Sequence, residues 1–135
     1  MIQKISHTSI FVDDQDAARD FYVDKLGMEV RQDQTLPGGF RWLTVGAKGQ
    51  DVEIVLMKLD TAPTLSKEDV DAIRGMQRRG VFGAGVLQTD DCRRTYEELK
   101  AKGVEFLSPP KDEFYAIEAL FKDPFGNWFS MTQPK

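Results

Sequence analysis

Two glutamates stand out because each lies in a stretch that otherwise resembles an apolar strand. Glu53 alternates with Val52 and Ile54, and a carboxylate in such a strand is costly to bury unless a partner compensates its charge. A metal ion, a histidine, water or a bound ligand could fill that role. Glu118 falls on the face opposite Ala119, because side chains alternate along a strand. Both carboxylates are therefore candidates for ligand binding or proton transfer.

The chain has one histidine, His7, and one cysteine, Cys92. His7 could ligate a metal or donate a hydrogen bond, although a single histidine is more often structural. Cys92 follows Asp91 at a predicted helix start, where the helix dipole could lower the pKa of the thiol, but most single cysteines are packing residues. The two residues share no motif of nucleophilic hydrolases, so that chemistry has no support.

The positions of these residues are set by an internal repeat. The segment 7–14 returns 77 positions later as 84–91, and in each copy a strand-like run ends in two aspartates before a helical pattern. The displacement falls to 76 between Gly27 and Gly103, which predicts one residue fewer in the second helix or its exit turn. It then returns to 77. A duplicated half-domain explains this pattern best.

Each copy predicts a strand, a helix and three further strands. In the first strand Thr8, Ile10 and Val12 share one face, which we expect to pack in the core. The predicted strands are 5–12, 28–33, 40–45 and 52–58 in the first copy, and 85–89, 104–107, 117–122 and 128–132 in the second, with the second helix over 92–102. Residues 123–127, Asp-Pro-Phe-Gly-Asn, predict a tight hairpin turn.

The sequence predicts one domain, 1–135, made of a first module 1–58, a helical linker 59–80 and a second module 81–135. The linker does not repeat, and Ser66 is predicted to open a helix that ends before Gly80. It could be a surface connector, a lid or a dimer contact.

Composition narrows the classes of partner. The chain has 135 residues, 41% hydrophobic and 30% charged, with a net charge of −4, which suits one globular core and gives no broad attraction for nucleic acid. No apolar run approaches the length that crosses a bilayer, and the N-terminus predicts a strand rather than a signal peptide. A single cysteine fits a reducing compartment. We expect a cytoplasmic protein without nucleic-acid or membrane partners.

Two βαβββ copies, with a histidine on the first strand and a glutamate on the fourth, resemble the vicinal oxygen chelate superfamily. This superfamily includes glyoxalase I, dioxygenases and bleomycin-binding proteins. The resemblance is strongest in segment 7–14 and in segment 121–130, which is similar to the Asp-Pro-x-Gly-Asn hairpin of that family. It implies an α+β fold in which the sheets curl into a cup that holds a metal or a small ligand, within one chain or across a homodimer. Function is then decided inside the cup.

The resemblance implies a metal site with one ligand from the first strand and one from the last strand of each copy. His7 and Glu53 match the first pair, whereas the displacement of 77 places Ala84 and Ser130 at the second pair. A catalytic divalent ion such as Zn, Ni, Mn or Fe usually needs three protein ligands, so binding by two should be weak. Further ligands for such an ion could come from within the cup. The candidates are Gln88 and Glu118.

Aromatic residues suggest a different use of the cup. Trp128 shares a face with Ser130 and Thr132, opposite Phe129 and Met131, and aromatic rings bind flat ligands at low entropic cost. Other aromatic residues on or beside strands that could line the cup are Phe11, Trp42, Phe114 and Tyr115.

Three functions follow. The first is binding of a small organic molecule without a complete metal site, with His7, Phe11, Glu53, Gln88, Glu118, Trp128 and Ser130 as binding candidates. The second is a metal-dependent lyase, isomerase or dioxygenase. In this enzyme His7 and Glu53 bind the metal, and either Glu53 or Glu118 moves a proton. The third is a structural or regulatory subunit. Metal content would separate the first two.

Overall fold

The computed structural model describes residues 1–135, which form eight strands and three α-helices. The first half contains β1 (His7–Val12), α1 (Gln15–Arg19), a π-helical segment (Asp20–Lys25), β2 (Glu29–Thr35), β3 (Arg41–Gly46) and β4 (Glu53–Lys58). A short 3-10 turn (Leu59–Thr61) and α2 (Lys67–Arg78) follow. The second half contains β5 (Phe82–Gln88), α3 (Cys92–Ala101), β6 (Glu105–Asp112), β7 (Ala116–Lys122) and β8 (Asn127–Pro134). No helix is long and apolar enough to span a membrane.

The strands form two four-stranded mixed sheets with the same topology. Their orders are β1-β4-β3-β2 and β5-β8-β7-β6, and in each sheet the first strand runs parallel to the last while the other pairs are antiparallel. The predicted α+β fold of two βαβββ modules is confirmed. The chain divides into compact units Met1–Ala72 and Ile73–Lys135; the predicted boundaries 1–58, 59–80 and 81–135 stay predictions.

In the first unit, alternation along the strands separates a core face from a second face. Ile10 and Val12 are buried, as predicted, whereas Thr8, expected on the same core face, is exposed. Ile10 lies opposite the buried Leu56 in the β1–β4 register. Leu43 and Val45 on β3 continue this core, which the helical segment covers with its own buried residues. Those helical residues are Ala18, Phe21 and Tyr22. The other face of the sheet carries His7, Trp42, Thr44 and Glu53, and is called the first site face below.

The π-helical segment explains the change in the repeat displacement. Asp14 caps α1 by accepting a hydrogen bond from the backbone N–H of Ala17, and Asp91 caps α3 in the same way through Arg94. The helical turn then widens over Asp20–Lys25, whereas α3 is α-helical throughout. Because a π turn contains one more residue than an α turn, this segment accommodates the extra residue of the first copy.

The core of the second unit lies on one face of its sheet. Ala119 and Phe121 on β7 and Phe129 and Met131 on β8 are all buried, and the rings of Phe121 and Phe129 stack with centroids 5.4 Å apart. Cys92 is also buried in this layer. The opposite face, called the second site face, therefore carries the alternate residues of β7 and β8.

The predicted turn at 123–127 forms the β7–β8 hairpin and is packed against α2. The Asp123 carboxylate accepts hydrogen bonds from the backbone N–H groups of Phe125 and Asn127. A Cβ at Gly126 would lie 1.8 Å from the carbonyl oxygen of Gln77, and Gln77 donates a 3.1 Å hydrogen bond to the Asn127 side chain. The predicted linker helix exists, and its C-terminal end is anchored to this turn.

Candidate functional site

On the first site face, Glu53 has the partners that its strand position requires. The parallel β1–β4 register places His7 opposite Glu53, with 3.7 Å between His7 Nε2 and Glu53 Oε1. The buried Thr44 donates a 2.6 Å hydrogen bond from Oγ1 to the same carboxylate oxygen. His7 also contacts Trp42, with ring centroids 5.7 Å apart. These contacts supply a hydroxyl donor and an imidazole for a half-buried carboxylate.

His7 and Glu53 alone do not fit a complete glyoxalase-type metal centre. No group of three or more His, Cys, Asp or Glu side chains is arranged to hold a metal ion anywhere in the chain. A catalytic divalent centre usually has at least three protein ligands, and Glu53 Oε1 is already engaged by Thr44. The predicted weak metal binding by these two residues stays a prediction.

On the second site face, two hydroxyl groups hold Glu118. Ser130 Oγ donates a 2.5 Å hydrogen bond to Oε2, and the Tyr115 hydroxyl donates a 2.7 Å bond to Oε1. These two bonds lower the pKa of Glu118, the Ser130 bond having the larger effect, because they stabilise the ionised carboxylate. The same interaction raises the pKa of Tyr115. Glu118 is therefore an anion with a fixed orientation.

The two site faces contain the same acid–hydroxyl pair with the strands exchanged. In the first unit the hydroxyl of Thr44 is on β3 and the carboxylate of Glu53 is on β4. In the second, the carboxylate of Glu118 is on β7 and the hydroxyl of Ser130 is on β8. Thr44 lies opposite Val55, two residues after Glu53. Glu118 lies opposite Thr132, two residues after Ser130, so the two pairs have the same diagonal geometry. Such diagonal neighbours are close enough for long side chains to interact.

Ser130, which the repeat places where the resemblance implies a metal ligand, is thus the hydroxyl partner of Glu118. The displacement of 77 also pairs the wrong residues. The β5–β8 register already differs from it by one residue at Gly83, and a bulge between Gly83 and Gly85 adds a second residue. The residue opposite Ser130 is Val86, not Ala84. Ala84 is therefore not the counterpart of His7 in the sheet, because a bulge inserts a residue that has no opposite partner.

A concave pocket of about 660 Å³ lies on the second site face. Apolar atoms form most of its surface, and Glu118 supplies a carboxylate. The lining residues are Gly83, Gly85, Val86, Tyr115, Glu118, Leu120, Trp128, Ser130 and Thr132. The predicted alternation of β8 is confirmed, since Trp128, Ser130 and Thr132 face the pocket while Phe129 and Met131 are buried.

Gly83 positions the aromatic wall of the pocket. It lies opposite Trp128 in the β5–β8 register, and a Cβ at this position would lie 2.9 Å from Cζ2 of the indole. Only a residue without a side chain lets the indole lie this close to the β5 backbone. The sequence analysis did not identify Gly83, Gly85, Leu120 or Val86. The unusual Gly-Ala-Gly at 83–85 was the available signal, because glycine within a strand often marks close approach.

The remaining candidates are dispersed. Gln88 is exposed opposite Thr132 and does not line the pocket, while Phe11 is half-buried on the face of β1 that also carries His7. Phe114 is 93% exposed. Burial, the largest influence, raises the pKa of the Cys92 thiol, so the expected lowering by the helix dipole is outweighed.

The fold and the site define a class of protein: two βαβββ modules with polar and aromatic residues on one face of each sheet. The chain belongs to the Glyoxalase/Bleomycin resistance protein/Dioxygenase superfamily, which matches residues 4–131. It is similar to UcmS2, with 43% identity, a TM-score of 0.91 and coverage of 98% of this chain and 99% of that one.

Two further relatives cover the same length. TnmS3, an antibiotic binding protein from Streptomyces sp. CB03234, is 32% identical with a TM-score of 0.79, and the match covers 99% of this chain and 98% of TnmS3. The uncharacterised protein YurT of Bacillus subtilis is 35% identical over an alignment of 135 positions that covers 96% of this chain and 98% of YurT. The similarity therefore extends over both modules.

Proposed function

We propose that this protein binds a small organic molecule with a flat aromatic part in the pocket of the second site face. The observation that carries the proposal is the pairing of a Trp128 wall with a carboxylate, Glu118, held by Ser130 and Tyr115. In this function the molecule is bound and released unchanged. The proposal requires neither a metal nor a nucleophile.

The dimensions and composition of the pocket support this function. Its volume of about 660 Å³ lies within the range of about 300–1,000 Å³ that is usual for small-molecule sites. Such sites combine apolar and aromatic walls with a few fixed polar groups. Leu120 and Trp128 supply apolar surface, and Glu118 and Ser130 supply the polar groups. Because all four residues lie on β7 and β8, ordered backbone positions them.

Similarity to known proteins points the same way. TnmS3 is an antibiotic binding protein, and its match covers 99% of this chain. A protein that binds an antibiotic without changing it lowers the free concentration of the compound. We extend this role to the present chain. Binding of a ligand by His7, Phe11, Glu53 or Gln88 stays a prediction.

Binding of 1-pyrenemethanol, a neutral flat probe, tests the proposal. Pyrene absorbs in the range of indole emission, so binding beside Trp128 should quench that emission, and calorimetry gives an independent dissociation constant. The variant Trp128→Ala should weaken binding about tenfold, which corresponds to about 1.4 kcal/mol. Trp42→Phe is the matched control and should bind like the unchanged protein. Equal affinity of Trp128→Ala and the unchanged protein would contradict this location of the site.

The proposal includes association of two copies and a cytoplasmic location. Each sheet leaves two edge strands unpaired within that sheet, β1 and β2 in one and β5 and β6 in the other, and edge strands are commonly covered by a partner. Cys92 is a free thiol, which suits a reducing compartment. Light scattering coupled to size exclusion measures the mass of the particle, and the mass of a single chain would contradict the dimer.

A further inference from the structure

We infer that the pocket selects flat molecules carrying a protonated amine, and that Glu118 is the residue that determines this specificity. The inference rests on the proposed function and adds the charge of the ligand to it. Its basis is the distribution of charge and of hydrogen-bond donors on the second site face.

The first step is the charge of the pocket lining. Of the nine residues that line the pocket, Glu118 alone has a charged side chain at neutral pH. The others are glycines, apolar residues, hydroxyl residues, Tyr115 and Trp128. An anionic ligand would meet a carboxylate in mostly apolar surroundings, where repulsion is screened less than in water. A cationic ligand would gain the corresponding attraction.

The second step is the direction of the hydrogen bonds. Ser130 Oγ and the Tyr115 hydroxyl each use their single hydrogen to donate to Glu118. The three side chains therefore offer the ligand oxygen lone pairs and no hydroxyl hydrogen. An ammonium group has three donors and no acceptor, so it matches the acceptors that these three side chains offer. The indole of Trp128 adds an aromatic face, which also attracts cations.

The third step is the absence of an internal counterion for Glu118. Its pKa is lowered by hydrogen bonds from Ser130 and Tyr115, and no lysine or arginine contributes. Lys111 lies opposite Glu118 in the β6–β7 register but is exposed. Lys122, the next charged residue along β7, pairs with Glu105 at 3.4 Å. The charge of Glu118 is thus available to a ligand.

Three matched probes test the inference: 1-pyrenemethylamine, 1-pyrenemethanol and 1-pyreneacetate, titrated at pH 7 and physiological ionic strength. They share one ring system and differ in charge. We expect the amine to bind at least about tenfold more tightly than the alcohol, because a hydrogen bond between two charged groups is stronger than one between neutral groups. The acetate should bind more weakly than the alcohol.

The variant Glu118→Gln keeps the shape of the side chain and removes its charge. It should lose the preference for the amine, so that the dissociation constants of the amine and the alcohol, both measured on this variant, become about equal. Glu97→Gln, on the exposed surface of α3, removes the same charge outside the pocket and should retain the preference. This control separates a local effect from general attraction by the net charge of −4.

The outcomes distinguish the inference from the proposed function. If the alcohol binds but the amine has no advantage, or if Glu118→Gln retains the advantage, the charge selection is wrong while the binding function stands. If none of the three probes binds, the proposed function fails and the inference fails with it. If Glu118→Gln unfolds the protein, Glu118→Ala, which also removes the charge, replaces it, and an amine preference that persists in Glu118→Ala would overturn the inference.

Discussion

Replacement of Gly83 by alanine isolates the contact that places the aromatic wall of the pocket. The added Cβ would lie 2.9 Å from Cζ2 and 3.0 Å from Cε2 of Trp128. Carbon atoms in favourable contact are about 3.5–4.0 Å apart, so the indole must move by at least about 0.6 Å, the difference between 3.5 and 2.9 Å. Gly83 does not have a positive φ, and alanine therefore adds a steric conflict without backbone strain.

The expected magnitudes follow from where Trp128 lies. Overpacking a closed core costs about 1–3 kcal/mol, but Trp128 is only half-buried and can move into the pocket. We expect the free energy of unfolding to fall by about 1 kcal/mol or less. A displaced indole loses its stacking geometry with a flat ligand, which is worth about 0.5–1.5 kcal/mol. The affinity for 1-pyrenemethanol should therefore fall about 2- to 12-fold.

Urea unfolding and titration with 1-pyrenemethanol measure the two effects separately. Gly75→Ala is the matched control, because a Cβ there has no heavy atom within 4 Å and Gly75 lies inside α2. Alanine is favoured over glycine in a helix by about 1 kcal/mol, so the control should be more stable and should bind the probe normally. Unchanged affinity in Gly83→Ala would refute the argument that Gly83 positions Trp128 for binding.

Three further results are expected. Thr44→Val removes the hydroxyl that donates to Glu53 and should lower the free energy of unfolding by about 1–3 kcal/mol, measured by urea unfolding; an unchanged midpoint would contradict this. The pKa of Glu118 is lowered in the folded state by Ser130, so the stability it contributes is present above its unfolded pKa and is lost as pH falls through its folded pKa. The stability difference between the unchanged protein and Ser130→Ala should consequently be larger at pH 7 than at pH 3, and a pH-independent difference would exclude this linkage. Addition of Zn²⁺, Ni²⁺ or Mn²⁺ should leave the melting temperature of the protein unchanged, because His7 and Glu53 lack a third ligand; one bound equivalent that His7→Ala abolishes would show that a metal site exists.

The secondary structure and the faces of the strands could be predicted because they depend on residues close together in the chain. Alternation placed Ile10 in the core and Trp128 on the second site face, since a strand turns successive side chains to opposite sides. The turn at 123–127 was predictable from its proline, glycine and asparagine. The one-residue change in displacement was visible too, although only the structure located it in the π-helical segment.

What the sequence by itself determined was the duplication, the α+β modules and the face on which Glu53, Glu118 and Trp128 lie. The tertiary structure decided the partners of these residues. The bulge beside Gly85 places Val86 opposite Ser130, and the β7–β8 register brings Ser130 to Glu118. Neither could be read from the repeat, because a uniform displacement assumes equal registers in both sheets. Register depends on contacts between strands that are distant in sequence, and a single inserted residue changes every pairing beyond it.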